Sequence, residues 1–563
     1  MSIKDKVVIR FSGDSGDGMQ LTGSQFTHTS ALMGNDFATF PDFPAEIRAP
    51  QGTVAGVSGF QVHFGAVEVS TPGDEPDVLV AMNPAALKAN ISDLKPGGVL
   101  IVNKDSFTEL GFKKAKYEED PLPAISDFKI IEAQITSQTK EALKALKLDP
   151  KSKTRCKNFY ALGMTYFMYG RDLNPTLDWI EEKFGHDEDL CRANQLALKA
   201  GHNFADTIGV GAEIYEVPQA SIEKGKYRQI NGNTALAWGF ILGAQRADTN
   251  LFLGSYPITP ASDVLHELSK HKNFGVKTFQ AEDEIAAICS AIGASFSGAL
   301  GITTSSGPGV ALKSEALNLA VMLELPLVVI NIQRGGPSTG LPTKTEQSDL
   351  NMMMYGRNGE SPLIILAAKS PSDCFKMAYE AARLTMEHMT PVVLMSDGYI
   401  ANGSTPWKIP NIEKEFPKIQ KKLLDQNSDE YLPYARDKKN LVREWAVAGT
   451  PKYMHRLGGL EKELETGNVS YDPENHEQMV HIRQQKVDLV AENIPLQKVE
   501  GSENADIALV SWGGTYGTIS EAVKQSSTRA AHIHISYLSP FPKNLESVLK
   551  KYKYLVVCEL NNG

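Results

Sequence analysis

Acidic residues crowd the start of one apolar helix in the segment TFQAEDEIAAICSAIGASFSGA. Glu282, Asp283 and Glu284 precede residues that are almost all small or apolar. Carboxylates at a helix N-terminus usually complement the helix dipole in water. The apolar residues after Glu284 also favour a second interpretation, in which this carboxyl points into a dry interface that favours its protonated form. Thiamine diphosphate requires such a carboxyl, which hydrogen-bonds the aminopyrimidine ring and promotes the tautomer that forms the ylid.

Three loops rich in glycine, proline and hydroxyl residues follow predicted strands around this helix. GSYPITPASD places two prolines around Thr259, which stiffens the turn and presents a hydroxyl at the carboxyl edge of a sheet, where α/β proteins bind ligands. TTSSGPGVAL and QRGGPSTGLPTKTEQSDL leave the same edge, and Lys344 in the second offers a cation to a carboxylate. Each feature also has an ordinary explanation, a helix N-cap at Thr259 or Ser262 and a solvated lysine at 344.

A glycine cluster, FSGDSGDGMQLTG, follows a predicted strand and precedes a helix, so its backbone amides could hold an anion. Its order is G-x-x-G-x-G, not the G-x-G-x-x-G of dinucleotide folds, and Asp14 and Asp17 would repel a pyrophosphate. A tight turn or another ligand loop is therefore favoured over NAD binding. The nearby segment FPAEIRAPQG carries Glu46 and Arg48, for which a structural ion pair is the simpler explanation.

The composition is that of a globular protein with several domains, because 563 residues are 42% hydrophobic and 22% charged. A net charge of -10 provides no general attraction to nucleic acid or anionic lipid. Five scattered cysteines form neither a disulfide framework nor a cluster motif, so we expect a reducing cytoplasm and no iron–sulfur cluster on this chain. The N-terminus leaves no room for a signal peptide, and no apolar run is long enough to cross a membrane.

Short apolar runs that alternate with helical periodicity predict α/β domains with parallel strands. A proline-rich segment of dense mixed charge interrupts this order and is expected to wrap a surface. The final strand, YLVVCEL, looks buried, so we expect another subunit or a further tail to cover its edge. We predict a first α/β domain over 1–208, a linker over 209–229, a doubly wound domain over 230–402, the wrapping segment over 403–500 and a small α/β domain over 501–563.

The set YPITPAS, QAEDEIAA, TSSGPG and GGPSTGLPTKTEQ, preceded by GDSGDG and AEIRAPQGTVAGVSGFQ, resembles the large subunit of 2-oxoacid:ferredoxin oxidoreductases. It is most similar to the 2-oxoglutarate branch, in which γ and α domains are fused. The resemblance covers almost the whole chain and is weakest over 405–457. It implies a thiamine diphosphate enzyme that decarboxylates a 2-oxoacid, passes electrons singly to iron–sulfur clusters and ferredoxin, and transfers the acyl group to coenzyme A. The reverse carboxylation, as in a reductive tricarboxylic acid cycle, is equally consistent.

The resemblance also implies a fold and a set of site residues. The fold is a multidomain α/β arrangement with a γ-type domain, a doubly wound pyrimidine-binding domain and a transketolase-C-terminal-like domain. Glu284 falls at the cofactor-activating glutamate, and Thr259 at a catalytic hydroxyl that binds the substrate carboxylate. Lys344 falls where the family commonly has a basic residue, often arginine, so it keeps the charge and loses bidentate geometry. The implied cofactor-binding residues are Tyr256, Pro257, Ile258, Glu284, Ser306 and Gly307, and the implied coenzyme A side comprises Gly13, Ser15, Gly16 and Arg48.

A partner subunit is expected because half of the cofactor site is missing from the sequence. Thiamine diphosphate enzymes hold the diphosphate through Mg²⁺ with a G-D-G motif followed by Asn roughly 25 to 30 residues later. The GDG at 16–18 lies in the wrong domain and lacks that Asn. We therefore expect a small β subunit to supply Mg²⁺, the diphosphate site and a [4Fe-4S] cluster in an α₂β₂ assembly. A pyruvate or branched-chain 2-oxoacid enzyme, a transketolase-like enzyme and a non-catalytic scaffold remain alternatives.

Overall fold

A computed structural model describes residues 2–44, 49–209, 215–424 and 430–563. The chain divides into two compact units, of which the first comprises Met1–Gln229 with Gly403–Lys408 and the second Ile230–Asn402 with Ile409–Gly563. In the described part of the chain, no helix is both long enough and apolar enough to span a bilayer.

The first unit is an α/β unit whose strands alternate with helices. Its strands are β1 (Ser2–Ile3), β2 (Lys6–Asp14), β3 (Asp36–Asp42), β4 (Val57–Gly65), β5 (Val78–Ala81), β6 (Val99–Asn103), β7 (Lys129–Ala133), β8 (Tyr215–Glu216) and the start of β9 (Tyr227–Asn231). Its helices are α1 (Met19–Leu32), α2 (Pro84–Asn90), α3 (Glu109–Lys114), α4 (Ile135–Ala142), α5 (Pro150–Arg155), α6 (Lys157–Met168), α7 (Asn174–Phe184) and α8 (Glu188–Thr207).

Six of these strands form one sheet in the order β3-β4-β2-β5-β6-β7. β2, β5, β6 and β7 are parallel, as predicted, but β4 runs antiparallel to both β2 and β3. The strands predicted from the sequence are therefore parallel, and β3 and β4, which the sequence analysis did not predict, add an antiparallel edge to the sheet. Among the described residues between β3 and β4, only the single 3₁₀ turn Val54–Gly56 is helical, which is shorter than the crossover connection that a parallel pair would need.

The second unit continues the α/β order. Its strands are β10 (Leu251–Ser255), β11 (Val276–Gln280), β12 (Leu300–Ser305), β13 (Leu327–Gln333), β14 (Ile364–Ala367), β15 (Val392–Asp397), β17 (Glu500–Gly501), β18 (Ile507–Ser511), β19 (Ala530–His534), β20 (Tyr537–Ser539) and β21 (Tyr554–Cys558), while β16 (Ser404–Lys408) belongs to the first unit. Its helices are α9 (Gly232–Arg246), α10 (Ser262–Leu268), α11 (Glu284–Phe296), α12 (Gly307–Leu312), α13 (Ser314–Leu323), α14 (Leu350–Tyr355), α15 (Asp373–His388), α16 (Gly398–Asn402), α17 (Ile412–Glu415), α18 (Pro473–Asp488), α19 (Tyr516–Gln525) and α20 (Leu545–Leu549).

A seven-stranded sheet in the order β11-β10-β12-β13-β15-β14-β20 forms the centre of this unit. All of its neighbouring strands are parallel except β14 and β20. The side chains of β12, β13 and β15 are fully buried, as expected for parallel strands covered on both faces. A smaller sheet, β17-β19-β18-β21, follows, and the apolar side chains of its edge strand β21 are exposed.

The segment predicted to wrap a surface is largely irregular between α17 and α18, although the sequence prediction omitted α18 itself. Its charged residues are not all solvated. Arg443 and Lys462 are buried, and the Arg436 guanidinium and the Lys486 ammonium both bind the carboxylate of Glu324 at the end of α13. Buried ion pairs therefore attach this segment to the doubly wound core.

Candidate active site

Four loops leave the carboxyl edge of the seven-stranded sheet side by side. Ser255 at the end of β10 is in register with Gln280 of β11 and with Thr304 of β12. The loops YPITP, AEDE and SGPG therefore start next to one another, and RGGPSTG follows on β13. Because β11 and β12 lie on opposite sides of β10, the crevice beside β10 is a topological switch point, where open α/β sheets bind ligands.

Small residues fix helix α11, and with it Glu284, over this edge. A Cβ atom at Gly254 would lie 2.2 Å from the carbonyl oxygen of Ala287, and one at Gly301 would lie 2.3 Å from that of Ala291. Glycine at both strand positions therefore lets the helix backbone approach the sheet closely. Asp283 caps the helix, accepting a 2.8 Å hydrogen bond from the backbone N–H of Ala286. The dipole-complement interpretation thus holds for Asp283.

The Glu284 carboxyl lies against helix α12. A Cβ atom at Gly309 would lie 2.9 Å from Oε1 of Glu284 and 2.1 Å from Oγ of Ser305, so carboxyl and hydroxyl approach the same point. The buried ammonium of Lys313, which follows α12, donates a 2.8 Å hydrogen bond to the carbonyl oxygen of Glu284. Helix α12 therefore contacts the side chain of Glu284, and the lysine that follows the helix holds its backbone carbonyl.

Four consecutive hydroxyls at the end of β12 are buried without a partner. The side chains of Thr303, Thr304, Ser305 and Ser306 are at most 1% exposed, and their oxygens have no hydrogen-bond partner among the described residues. An unsatisfied buried hydroxyl costs about 1–3 kcal/mol. Because successive side chains of a strand point to opposite faces of the sheet, these hydroxyls do not all face one ligand, and Ser305 is the one that approaches Glu284. A ligand with a polar edge would relieve the cost there, and the aminopyrimidine of thiamine diphosphate, which has ring nitrogens and an amino group, fits the hydroxyl of Ser305 together with Glu284.

The other residues predicted to bind the cofactor lie on the two loops that flank the switch point. Tyr256 and Pro257 are exposed and Ile258 is half-buried. Gly307 is buried, and a Cβ atom there would lie 2.9 Å from a carboxylate oxygen of Asp349. These positions surround the crevice beside β10, and their contact with a cofactor stays a prediction.

Arg334, which the sequence analysis missed, joins the loop of Thr259 to the loop after β13. Its guanidinium donates to the carbonyl oxygen of Thr259 at 2.7 Å and to that of Thr339 at 3.2 Å. The side chain of Thr259 is exposed, and α10 is preceded by Ala261 with no side-chain cap. The N-cap explanation is therefore wrong. The available signal for Arg334 was a cation at the carboxyl end of a buried strand.

The loop that carries Lys344 is closed by its own backbone. Gly335 N–H donates to the carbonyl oxygen of Lys344 at 2.9 Å, and Lys344 N–H donates to that of Leu341 at 3.0 Å. Gly340 has a φ of +48°, and a Cβ atom there would lie 2.1 Å from the carbonyl oxygen of Gly335. The half-buried Lys344 therefore stands on a stiff loop, anchored through Arg334 to the backbone of Thr259.

The glycine cluster of the first unit is a closed turn. Gly13 is the penultimate residue of β2, and Ser15 and Gly16 are exposed in the turn before α1. Asp17 pairs with Lys157 at 2.8 Å, and Asp14 accepts hydrogen bonds from the N–H of Gly52 at 3.0 and 3.1 Å. Burial, opposed by the bond from Gly52, raises the pKa of Asp14. Glu46 and Arg48 lie outside the described residues.

Within the described ranges, no three His, Cys, Asp or Glu side chains converge on a point where they could hold a metal ion. The Glu284 carboxyl beside the unpartnered hydroxyl of Ser305, at the switch point of a doubly wound sheet, defines a class of domain, the pyrimidine-binding half of a thiamine diphosphate enzyme.

Comparison with known proteins agrees with this class. Residues 243–472 match the family model "Pyruvate flavodoxin/ferredoxin oxidoreductase, thiamine diP-bdg", and residues 8–204 match "Pyruvate ferredoxin/flavodoxin oxidoreductase". The chain is 52% identical to the 2-oxoglutarate oxidoreductase subunit KorA of Mycobacterium tuberculosis, over 99% of this chain and 86% of that protein. It is 30% identical to the α subunit of 2-oxoacid:ferredoxin oxidoreductase 1 of Sulfurisphaera tokodaii, over 79% of this chain and 71% of that protein.

A solved structure is similar along nearly the whole chain. It is the 2-oxoglutarate:ferredoxin oxidoreductase from Magnetococcus marinus with 2-oxoglutarate, coenzyme A and succinyl-CoA bound, at 31% identity and a TM-score of 0.85 over 99% of this chain and 92% of that chain. The chain belongs to the 2-oxoacid:ferredoxin oxidoreductase family, in the branch of the 2-oxoglutarate oxidoreductase α subunits. The predicted family and the multidomain α/β fold class are confirmed.

Proposed function

We propose that this chain, with a partner subunit, converts 2-oxoglutarate and coenzyme A to succinyl-CoA and CO₂ while two ferredoxins each accept one electron, or catalyses the reverse carboxylation in a reductive tricarboxylic acid cycle. The observation that carries the proposal is the placement of Glu284 beside the buried, unpartnered hydroxyl of Ser305 at the switch point. The choice of 2-oxoglutarate is supported by the printed names of the Mycobacterium tuberculosis and Magnetococcus marinus relatives. A reducing cytoplasm is the proposed location.

Thiamine diphosphate, when bound, supplies the nucleophilic carbon and the electron sink that decarboxylation of a 2-oxoacid requires. Glu284 holds and moves one proton at its carboxyl group, facing the aminopyrimidine. Thr259 and Lys344 provide a hydroxyl and a cation for the substrate carboxylate, and Arg334 holds the Thr259 loop in place. Ser306 and Gly307 line the cofactor side of the crevice, together with Tyr256, Pro257 and Ile258.

The surface around Glu284 supports a partner subunit. Tyr256, Phe279, Ile285 and Leu312 stand on the elements that surround this carboxyl, and all four side chains are exposed. Apolar side chains grouped around a polar site are typical of a protein–protein interface. We propose that a small β subunit covers this surface, supplies the Mg²⁺–diphosphate site and a [4Fe-4S] cluster, and forms an α₂β₂ enzyme with this chain.

Coenzyme A is proposed to contact the first unit near Gly13, Ser15, Gly16 and Arg48. The turn at these glycines leads into the N-terminus of α1, where backbone N–H groups favour an anion such as a phosphate. The ion pair between Asp17 and Lys157 reduces the repulsion that the carboxylates would otherwise exert. Coenzyme A bound to the Magnetococcus marinus enzyme supports a coenzyme A site in this branch.

Co-expression with the small subunit tests the proposal. We expect a brown complex that reduces a viologen dye in the presence of 2-oxoglutarate and coenzyme A, with less activity on pyruvate. Calorimetry on the isolated chain should show negligible binding of thiamine diphosphate, because the metal-bridged diphosphate contacts are missing. Preference for pyruvate would contradict the substrate assignment. A colourless active homodimer would favour the transketolase-like alternative, and tight Mg²⁺-dependent binding by the isolated chain would contradict the split site.

A further inference from the structure

The ammonium group of the buried Lys313 contacts the backbone of Glu284. Lys313 is 0% exposed, and its Nζ donates a 2.8 Å hydrogen bond to the carbonyl oxygen of Glu284. In the part of the chain that the structure describes, this is the one hydrogen bond of the ammonium. Burial of a charge is costly unless nearby groups of opposite charge compensate it, so the surroundings of Lys313 decide whether the charge is kept.

The groups that face Lys313 electrostatically stand on helix α11 and its cap. They are Glu284, Asp283 and Cys289. Burial raises the pKa of the Cys289 thiol, and Glu315 on α13 raises it further. Burial lowers the pKa of Lys313 to about 8, while the charge of Glu284 followed by that of Asp283 opposes this shift. Asp283 is exposed and is engaged in capping α11. Glu284 is therefore the half-buried carboxyl that acts most strongly on the Lys313 ammonium.

We propose that Lys313 is a positioning residue for Glu284, which fixes the first carbonyl of α11 and electrostatically favours the ionised carboxylate once its proton has left. The proposal rests on the proposed function, in which Glu284 gives up and regains one proton. The Glu284 carboxyl would release and regain this one proton when the cofactor is bound, and Lys313 would neither gain nor lose one. Lys313 acts through its charge and its hydrogen bond.

Lys462 provides a matched control. It is also buried, its Nζ donates to the carbonyl oxygen of Met322 at 3.1 Å, and burial lowers its pKa to about 8. Its acceptor lies near the end of α13, away from the loops at the carboxyl edge. Lys462→Met therefore removes a buried ammonium and its bond to a carbonyl without touching Glu284.

The first test compares pH profiles of kcat for the assembled holoenzyme. Because an opposite charge within about 4–6 Å favours ionisation, Lys313→Met should move the acid limb to higher pH by about one unit, and Lys462→Met should leave it in place. Lys313→Gln retains a donor for the carbonyl and loses the charge, so it should show the same shift and serves if Lys313→Met does not assemble. An acid limb that stays at the wild-type pH in Lys313→Gln would overturn the proposed charge effect.

The second test measures thermal unfolding of the cofactor-free complex between pH 7 and pH 10. The folded pKa of Lys313 lies below its ordinary value of 10.5, so the unfolded chain binds more protons above about pH 8. The wild type should therefore gain stability relative to Lys313→Met as the pH rises. If the stabilities of the wild type and Lys313→Met changed with pH in parallel, Lys313 would carry no buried charge in the folded protein. Retained turnover in Glu284→Gln would instead refute the proposed function, and the unfolding difference would persist.

Discussion

The two edges of the seven-stranded sheet each contain a carboxyl beside a buried lysine, and the two pairs differ in completeness. At the amino edge, Glu324 accepts hydrogen bonds from Lys486 at 2.7 Å and from Arg436 at 3.0 Å. Burial raises the pKa of Glu324, but these two cations outweigh it and hold the pKa well below its usual range. At the carboxyl edge, Glu284 has the Lys313 ammonium on its backbone carbonyl and the unpartnered hydroxyl of Ser305 near its carboxyl.

The difference shows how the same residue types give structure in one place and chemistry in another. A buried polar network whose members are all satisfied is rigid and gains nothing from a ligand. A network with unsatisfied members gains from one, because each unpaired group has already lost its water. The Glu324 network attaches the wrapping segment, whereas the Glu284 edge retains unsatisfied groups that a bound cofactor would satisfy.

The largest effect on turnover is expected from a substitution that removes the proton-transfer group of the carboxyl edge and leaves the structure of that edge intact. Glu284→Gln is nearly isosteric but cannot transfer a proton, so turnover should fall by about 10²-fold or more while the complex assembles normally. Viologen reduction by the purified complex measures the loss, and Glu282→Gln on the exposed neighbour is the control. Near-wild-type turnover would eliminate Glu284 as the activator and point to Glu282.

The amino edge should respond in the opposite way. Glu324→Gln leaves Arg436 and Lys486 buried without a counter-charge and should lower the free energy of unfolding by about 3–5 kcal/mol. The KM for 2-oxoglutarate should stay unchanged in the folded enzyme. Glu546→Gln, which breaks the exposed pair with Lys550, should cost at most about 1 kcal/mol. Equal destabilisation by the two variants in thermal unfolding would contradict the structural role of Glu324.

The pH dependence of stability follows from the same network. Because the folded pKa of Glu324 is depressed, its contribution to stability is present above the ordinary pKa of 4.5 and is lost as the pH falls toward the folded value. Unfolding curves of the wild type should therefore lose stability below about pH 4.5 more steeply than those of Glu324→Gln. If the wild type and Glu324→Gln lost stability equally steeply as the pH fell, the Glu324 carboxylate would not be paired in solution.

Substrate binding at the carboxyl edge should show a moderate effect. Thr259→Ala and Lys344→Ala each remove one partner of a carboxylate, so each should raise the KM for the 2-oxoacid by an equivalent of about 1–3 kcal/mol. Thr259→Ser retains the hydroxyl and is the control. A change confined to coenzyme A kinetics would mean that this edge does not bind the oxoacid.

The smallest effect is expected at Arg334, which acts through Thr259. Arg334→Met removes two hydrogen bonds to loop carbonyls and should raise the KM for the 2-oxoacid about five- to tenfold, with kcat little changed. Arg334→Lys retains one donor and should recover part of the loss. A kcat defect with an unchanged KM would show that Arg334 does not position the Thr259 loop.

Local patterns predicted much of the second unit. The apolar runs that form β10, β12, β13 and β15 are continuous and are separated by segments of helical periodicity. The local sequence is therefore enough to predict each of them as a strand. The loops YPITP and TSSGPG were identified in the same way, since proline, glycine and hydroxyl residues after a strand indicate a ligand edge. Where the signal was short or polar, as in β14 and α18, the element was missed.

The sequence by itself determined the α/β class, the order of the loops at the carboxyl edge and the carboxyl at position 284. Only the tertiary structure decided which charges are compensated. Arg436 and Glu324 lie 112 residues apart, and Lys313 and Glu284 lie 29 apart, so no local pattern could show that either pair meets. The physical reason is that a sequence specifies the charge of each side chain, whereas burial and the position of a distant partner determine whether that charge stabilises the fold or remains available for chemistry.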